Sequence, residues 1–332
     1  MDSSTIVILT AMLTVAFVVC LGAMARQLNW LSQEADRSLM NLTVKLLLPC
    51  LILDVIVGNP RLTQASNLVY PPVAGFALTA GSMIISLILA RLFGKYFWVD
   101  TPVKQRTFAF TAGVVNYGFI PVPLTQVLFQ DTPDIRDATM GVLLVHNAGV
   151  ELAIWTVGIV ILTGSVTGSW WKRVVNPVSM AIVAALLINY MGWHTLGPQP
   201  IRHGLGQAIH LLGAASIPLS LALVGASTID HLATLNPRHS LRVIGFGALI
   251  RLGLLPCLFM LAAWLCPVSD ELKRVLVIQG AMPSAMAPIF LARHYEGDPA
   301  TALRVAMGTT LLALLTIPFW LHGGLKWIGL GL

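Results

Sequence analysis

Apolar runs of 17 to 26 residues recur ten times along the chain, separated by short polar stretches. A helix needs about 20 largely apolar residues to cross the hydrocarbon core of a bilayer. The runs therefore predict ten membrane-spanning helices, over residues 4–25, 39–57, 67–92, 107–129, 138–163, 177–193, 207–229, 241–265, 274–294 and 303–327. The polar stretch 26–38 reads as an interfacial linker in which Ser32 caps a helix and Glu34 and Asp36 follow in its first turn. The other loops are short, and no large soluble domain or low-complexity segment is expected.

The fourth and ninth runs are interrupted near their middles. The fourth carries Asn116-Tyr117-Gly118-Phe119-Ile120-Pro121-Val122-Pro123-Leu124, and the ninth carries Met282-Pro283-Ser284-Ala285-Met286-Ala287-Pro288. A proline inside a helix removes a donor and clashes with the preceding turn, at about 3 kcal/mol. Lipid cannot replace the lost hydrogen bonds, so these stretches are expected to line something wetter than lipid. Gly113 and Pro121 are eight residues apart, as are Gly280 and Pro288, and the two prolines lie 167 residues apart. A second pair of expected breaks, at Pro49 and Pro218, lies 169 residues apart. One shared offset divides the ten spans into two repeats of five, over 1–163 and 177–332, joined by a linker at 164–176. Five is odd, so the second repeat inserts inverted. Inverted repeats with broken helices are a signature of secondary transporters. The two breaks would then cross near mid-membrane, with half-helices starting near Pro121 and Pro288. Proline suits a first helical turn, and helix N-termini favour anions.

Composition agrees: 56% of residues are hydrophobic and 10% charged, against about 25% charged in soluble domains. The net charge is +6. With no basic patch interleaved with aromatics, the excess reads as a loop property rather than nucleic-acid binding. One set of loops holds Arg26, Arg37, Arg91, Lys95, Lys104, Arg106, Lys172, Arg173, Arg238, Arg242, Arg293 and Arg304. The other holds Arg61, Arg136, Arg202, Lys273, Arg274 and Lys326. The richer set is expected to be cytoplasmic, in a cell (inner) membrane, with both termini outside. Trp98, Trp170, Trp171 and Trp327 read as an interfacial belt. Cys20, Cys50, Cys257 and Cys266 form no CxxC, so neither a disulfide framework nor a zinc site is expected. The first apolar run is too long for a signal peptide and reads as a retained helix.

Polar side chains inside the runs are functional candidates, because a charge at mid-bilayer costs about 2.5–3.5 kcal/mol on insertion scales. Asn116 sits at the proposed crossing, where its amide donates to a carboxylate or caps the following half-helix. Asn147 and Glu151 share a face of the fifth span, with His146 close by. These three suit a proton relay or, with Asn116, a sodium site. Equally, Glu151 is the best-placed acid to pair with Arg251, midway along the eighth span. Arg251 alternatively balances an anionic substrate. Lys45 and Asp54 lie toward opposite ends of the second span, where snorkelling accounts for both, although Lys45 shares its helix with Pro49. Ser284 in the second break is placed either to donate to substrate or to satisfy local backbone.

The stretches Asn116–Leu124, Met282–Pro299 and Thr310–Pro318, together with Leu28–Leu53 and Ser216–Ser227, resemble the auxin efflux carrier family, within the bile acid, arsenite and riboflavin transporter superfamily. The resemblance runs along most of the chain, and Met-Pro-Ser through Tyr-Glu-Gly-Asp-Pro is its most specific part. It implies an all-α membrane protein of ten helices in an inverted five-plus-five repeat, crossed helices four and nine, and scaffold and transport domains moving as an elevator. It further implies small organic anions as substrates, exported without a cofactor, and a homodimer. Asn116, Pro121 and Pro288 match the family's positions at the crossing, which makes Tyr117, Gly118, Met282, Pro283 and Ser284 the expected neighbours of substrate. The chain lacks the plant members' Asn-Pro-Asn-Thr-Tyr type motif and their long loop. Bacterial-type members are associated with dicarboxylates such as malate and malonate, the first expectation here. The alternatives are a sodium-coupled organic anion symporter of the bile-acid type and a sensor that kept a transporter fold. An enzyme is not expected: HExxH, GxSxG and a GxGD-type aspartyl pair are all absent from the sequence.

Overall fold

Each helix that follows a Thr101-Pro102, Asn176-Pro177 or Asp298-Pro299 pair begins on a polar side chain that caps it, with proline in its first turn. The computed structural model describes residues 3–165, 175–232 and 237–330. Twelve helices are described: α1 (Ser3–Gln27), α2 (Gln33–Ile56), α3 (Ala65–Phe93), α4 (Pro102–Gly113), α5 (Pro121–Leu128), α6 (Pro133–Thr163), α7 (Pro177–Tyr190), α8 (Gln199–Leu232), α9 (Ser240–Leu265), α10 (Asp270–Ala281), α11 (Ala287–His294) and α12 (Pro299–Trp327). Seven are long and apolar enough to cross a membrane: α1, α2, α3, α6, α8, α9 and α12. The shorter α7 is also apolar, and α4–α5 and α10–α11 are two interrupted pairs. Among the described residues there are no strands, only one isolated bridge between Val115 and Ser284.

Ser32 caps α2 as expected, its hydroxyl accepting from the Ala35 N–H, so the helix starts at Gln33 rather than at residue 39. The interfacial linker shrinks to the turn between Gln27 and Gln33. The interruptions at Pro121 and Pro288 are present, but those expected at Pro49 and Pro218 are not. Pro218 lies inside the continuous α8. At Pro49 the helix runs on because it is preceded by a π turn, Thr43–Leu47, which closes with Leu48 N–H donating to Thr43 O. That one-residue shift of the ladder comes just ahead of the proline. The same arrangement recurs in α9, where the π turn Leu249–Leu254 precedes Pro256. Trp98 and Trp327 are exposed at helix ends. Trp170, Trp171, Lys172 and Arg173 of the linker lie outside the described residues.

The helices pack in two groups, which meet where α1 lies against α5 and α12. In one, α2 and α8 contact each other, α1 lies along α8, and α7 lies along α2. In the other, α3 packs on α4 and α6, while α12 packs on α4, α9, α10 and α11. Small residues set the closest approaches, as is usual where lipid supplies no hydrophobic drive. A Cβ on Gly225 of α8 would lie 1.9 Å from Val19 O of α1, and one on Gly149 of α6 would lie 1.8 Å from Pro72 O of α3.

Candidate functional site

Both interrupted helices expose backbone groups that a membrane interior does not solvate, and the two breaks satisfy each other. The extended segment after α4 runs antiparallel to the segment after α10. Asn116 N–H donates to Pro283 O at 2.8 Å, and Ala285 N–H donates to Val114 O at 3.0 Å. Val114, Val115, Met282 and Ser284 are fully buried. From this pairing α5 departs with Pro121 in its first turn and α11 with Pro288 in its own. Four helix ends therefore meet: the carbonyl ends of α4 and α10, and the amide ends of α5 and α11. Each carries roughly half an elementary charge, negative and positive respectively.

Polar side chains from three helices close on this crossing. Asn147 of α6 donates to Tyr117 O at 2.8 Å. Gln279 of α10 donates to the same carbonyl at 3.3 Å and to Asn147 Oδ1 at 3.0 Å. Tyr117 donates its hydroxyl to Glu151 Oε1 at 2.5 Å. Glu151 Oε2 accepts from Trp155 Nε1 at 2.7 Å and from Asn176 Nδ2 at 3.4 Å. Ser284 N–H is held by Thr309 Oγ1 of α12 at 3.2 Å. Asn116 Oδ1, Gln279 Oε1 and Ser284 Oγ are buried without a partner among the described residues. They are three of sixteen such atoms among the described residues, and they lie in sequence around the two breaks.

The expected residues divide accordingly. Asn116, Tyr117, Asn147 and Glu151 belong to the crossing and its hydrogen-bonded network, as do Pro283 and Ser284; Gly118, Pro121, Met282 and Pro288 shape its backbone. His146 is fully buried beside Asn147, but neither ring nitrogen has a partner among the described residues. The pairing of Glu151 with Arg251 is not formed. Glu151 takes three neutral donors. Arg251, fully buried on the π turn of α9, donates Nε to Met282 O at 2.8 Å and Nη2 to Gln279 O at 3.0 Å and Gly280 O at 3.4 Å. The physical reason is the carbonyl end of α10, a negative partner that no acidic residue marks in the sequence. Of the three oxygens proposed for sodium, those of Asn147 and Glu151 are occupied by donors. Lys45 is exposed on the π turn of α2, while Asp54 pairs with His210 at 2.9 Å.

Gln279 and Thr309 were missed. A lone amide three residues before the break was the available signal for Gln279; nothing distinguished Thr309 from other helical hydroxyls. A cleft of about 550 Å³ lies away from the crossing. It lies between α2 and α8 on one side and α5 and α6 on the other, lined by Asp54, His210, Gln126, Asp134, Arg136 and Asp137 among others. Gln126 is on α5, whose first turn lies at the crossing.

A family model described as membrane transport protein matches residues 7–169 and 163–321. The chain belongs to this auxin efflux carrier-like family. It is a multi-pass membrane transporter rather than an enzyme. An uncharacterized transporter of Methanothermobacter thermautotrophicus is 24% identical over 315 residues, covering 93% of this chain and 95% of the relative. The uncharacterized transporter YfdV of Escherichia coli K12 is 20% identical over 330 residues, 94% of this chain and 96% of its own. Auxin efflux carrier component 8 of Arabidopsis thaliana is 21% identical over 154 residues, 45% of this chain and 39% of the plant protein. The stretch Tyr295-Glu296-Gly297-Asp298-Pro299 forms the turn between α11 and α12. Glu296 has a φ of 55°, Asp298 caps α12, and Asp298 N–H donates to Thr107 Oγ1 of α4 at 2.9 Å. The motif thus ties one interrupted helix pair to the other.

Proposed function

We propose that the protein is a secondary transporter, an exporter, of small organic anions, with dicarboxylates such as malonate and malate first among them. The observation that carries this reading is the antiparallel pairing of Val115 with Ser284, from which two half-helices start. Their amide ends supply partial positive charge for a carboxylate, with the Val122 and Leu124 N–H groups of α5 already donating to Gly118 O and Ile120 O. Ser284, whose buried hydroxyl is without a partner among the described residues, and Asn116, through its amide NH2, are its side-chain donors. The auxin efflux carrier relative supports the same chemistry, since an auxin-like substrate also presents a carboxylate.

Counting each interrupted pair as one crossing gives ten, read as an inverted repeat of five and five. The group of α1, α2, α7 and α8 is the scaffold, and the remaining helices form the moving domain. With both termini outside, the cleft lined by Asp134 and Arg136 opens on the outer face of the cell membrane. It lies between helices of the two groups, where an elevator-like movement would open or close a path to the crossing.

The test is thermal stabilisation of purified protein by malonate, malate, oxalate, succinate, bile acids and indole-3-acetate. A dicarboxylate that stabilises wild type but not Asn116→Ala supports the site and the substrate class. Equal stabilisation of both proteins rejects the site.

A further inference from the structure

Arg251 is the largest fully buried side chain among the described residues. It has no carboxylate within ion-pair distance in the described structure. A cation inside a membrane protein demands a negative partner. Its partner is backbone: the carbonyls of Gln279, Gly280 and Met282, where α10 ends at the crossing. Phe259 lies against the guanidinium, 5.7 Å from ring centroid to carbon, and adds a second weakly negative surface. The carbonyl end of an interrupted helix is where transporters of this general build coordinate a coupling cation. Here those oxygens already face a fixed positive charge.

We infer that Arg251 is a tethered cation that takes the place of a sodium ion at the end of α10, so that the crossing works without sodium. This deepens the transport reading and rests on it for its consequence for coupling, but its test needs no substrate. Arg251 is a positioning residue: it holds the end of α10, and through it Gln279 and the Met282 turn, against Tyr117 and Asn116. Glu151 completes the contrast. Its carboxylate is met by three neutral donors on the other side of Tyr117, so the two buried charges are held separately rather than neutralising each other.

The experiment compares melting of purified protein in sodium chloride and in choline chloride at equal ionic strength, for wild type, Arg251→Lys and Arg251→Ala. Wild type is expected to melt at the same temperature in both salts. Arg251→Lys, which keeps the charge, is expected to stay closer to wild type than Arg251→Ala and to ignore sodium. Arg251→Ala is expected to melt lower and to recover part of the loss with sodium or with millimolar guanidinium, but not with choline. A merely space-filling arginine would give no such cation-selective recovery. Sodium-specific stabilisation of wild type overturns the inference. So does an Arg251→Lys protein as damaged as Arg251→Ala, or an Arg251→Ala protein that neither sodium nor guanidinium restores. If Arg251→Ala cannot be purified, the wild-type and Arg251→Lys measurements decide the question.

Discussion

Tyr117→Phe removes one oxygen from the crossing and nothing else. That hydroxyl donates to Glu151 Oε1 at 2.5 Å, while Trp155 and Asn176 donate to the other carboxylate oxygen. Phenylalanine keeps the ring, and Tyr117 O keeps its donors from Asn147 and Gln279. The loss is therefore one hydrogen bond to a carboxylate that is 8% exposed. Bonds to charged groups contribute about 1.5–3 kcal/mol, and neutral ones about 0.5–1.5 kcal/mol. Tyr117→Phe should thus cost about 2 kcal/mol in the wild-type background. In the Glu151→Gln background the lost bond is neutral, and the cost should fall to about 1 kcal/mol. The assay is reversible unfolding in mixed detergent micelles across the full double-mutant cycle. The expected interaction energy, about 1 kcal/mol, falls within the range measured for polar pairs inside membrane proteins. Equal costs in the two backgrounds would refute the reasoning, because they would mean that the hydroxyl does not read the charge on Glu151.

Three further substitutions test the surrounding frame. Gln279→Leu leaves Asn147 Oδ1 without the donor it has at 3.0 Å, and should cost about 1–3 kcal/mol in the same unfolding assay. Gly149→Val places a side chain where a Cβ alone would lie 1.8 Å from Pro72 O, so α3 and α6 must separate; overpacking of about 1–3 kcal/mol or more should appear as a lowered melting temperature. Asp298→Ala removes the acceptor of Ala300 N–H and of the Thr301 hydroxyl at the start of α12, and should cost about 0.5–2 kcal/mol, largely recovered by Asp298→Asn.

The sequence made the spans legible because lipid demands long apolar runs, and made the interruptions legible because glycine and proline are costly in them. Ser32 was readable as a cap for the same local reason. What it did not show was which interruptions survive. Pro49 and Pro218 look like Pro121 in the sequence, yet one follows a π turn and the other is carried by a continuous helix. Depth along a span placed Glu151 and Arg251 at similar heights but said nothing of the direction each faces. Their true partners were a tyrosine hydroxyl with neutral donors in one case and helix-end carbonyls in the other. Backbone carbonyls leave no mark in a sequence, so the partner of Arg251 was the least readable feature of the site. Gln279 was passed over because an uncharged amide in an apolar run signals its burial cost more weakly than a charge does.

The central claim is that the paired interruptions form the place where an organic anion is carried. Its most direct test is counterflow of labelled malonate in proteoliposomes containing wild type or Asn116→Ala, with both proteins shown to melt alike. The account predicts exchange by wild type and a loss of more than about tenfold in the variant, equivalent to about 1.4 kcal/mol of lost stabilisation. Undiminished exchange by Asn116→Ala would contradict it.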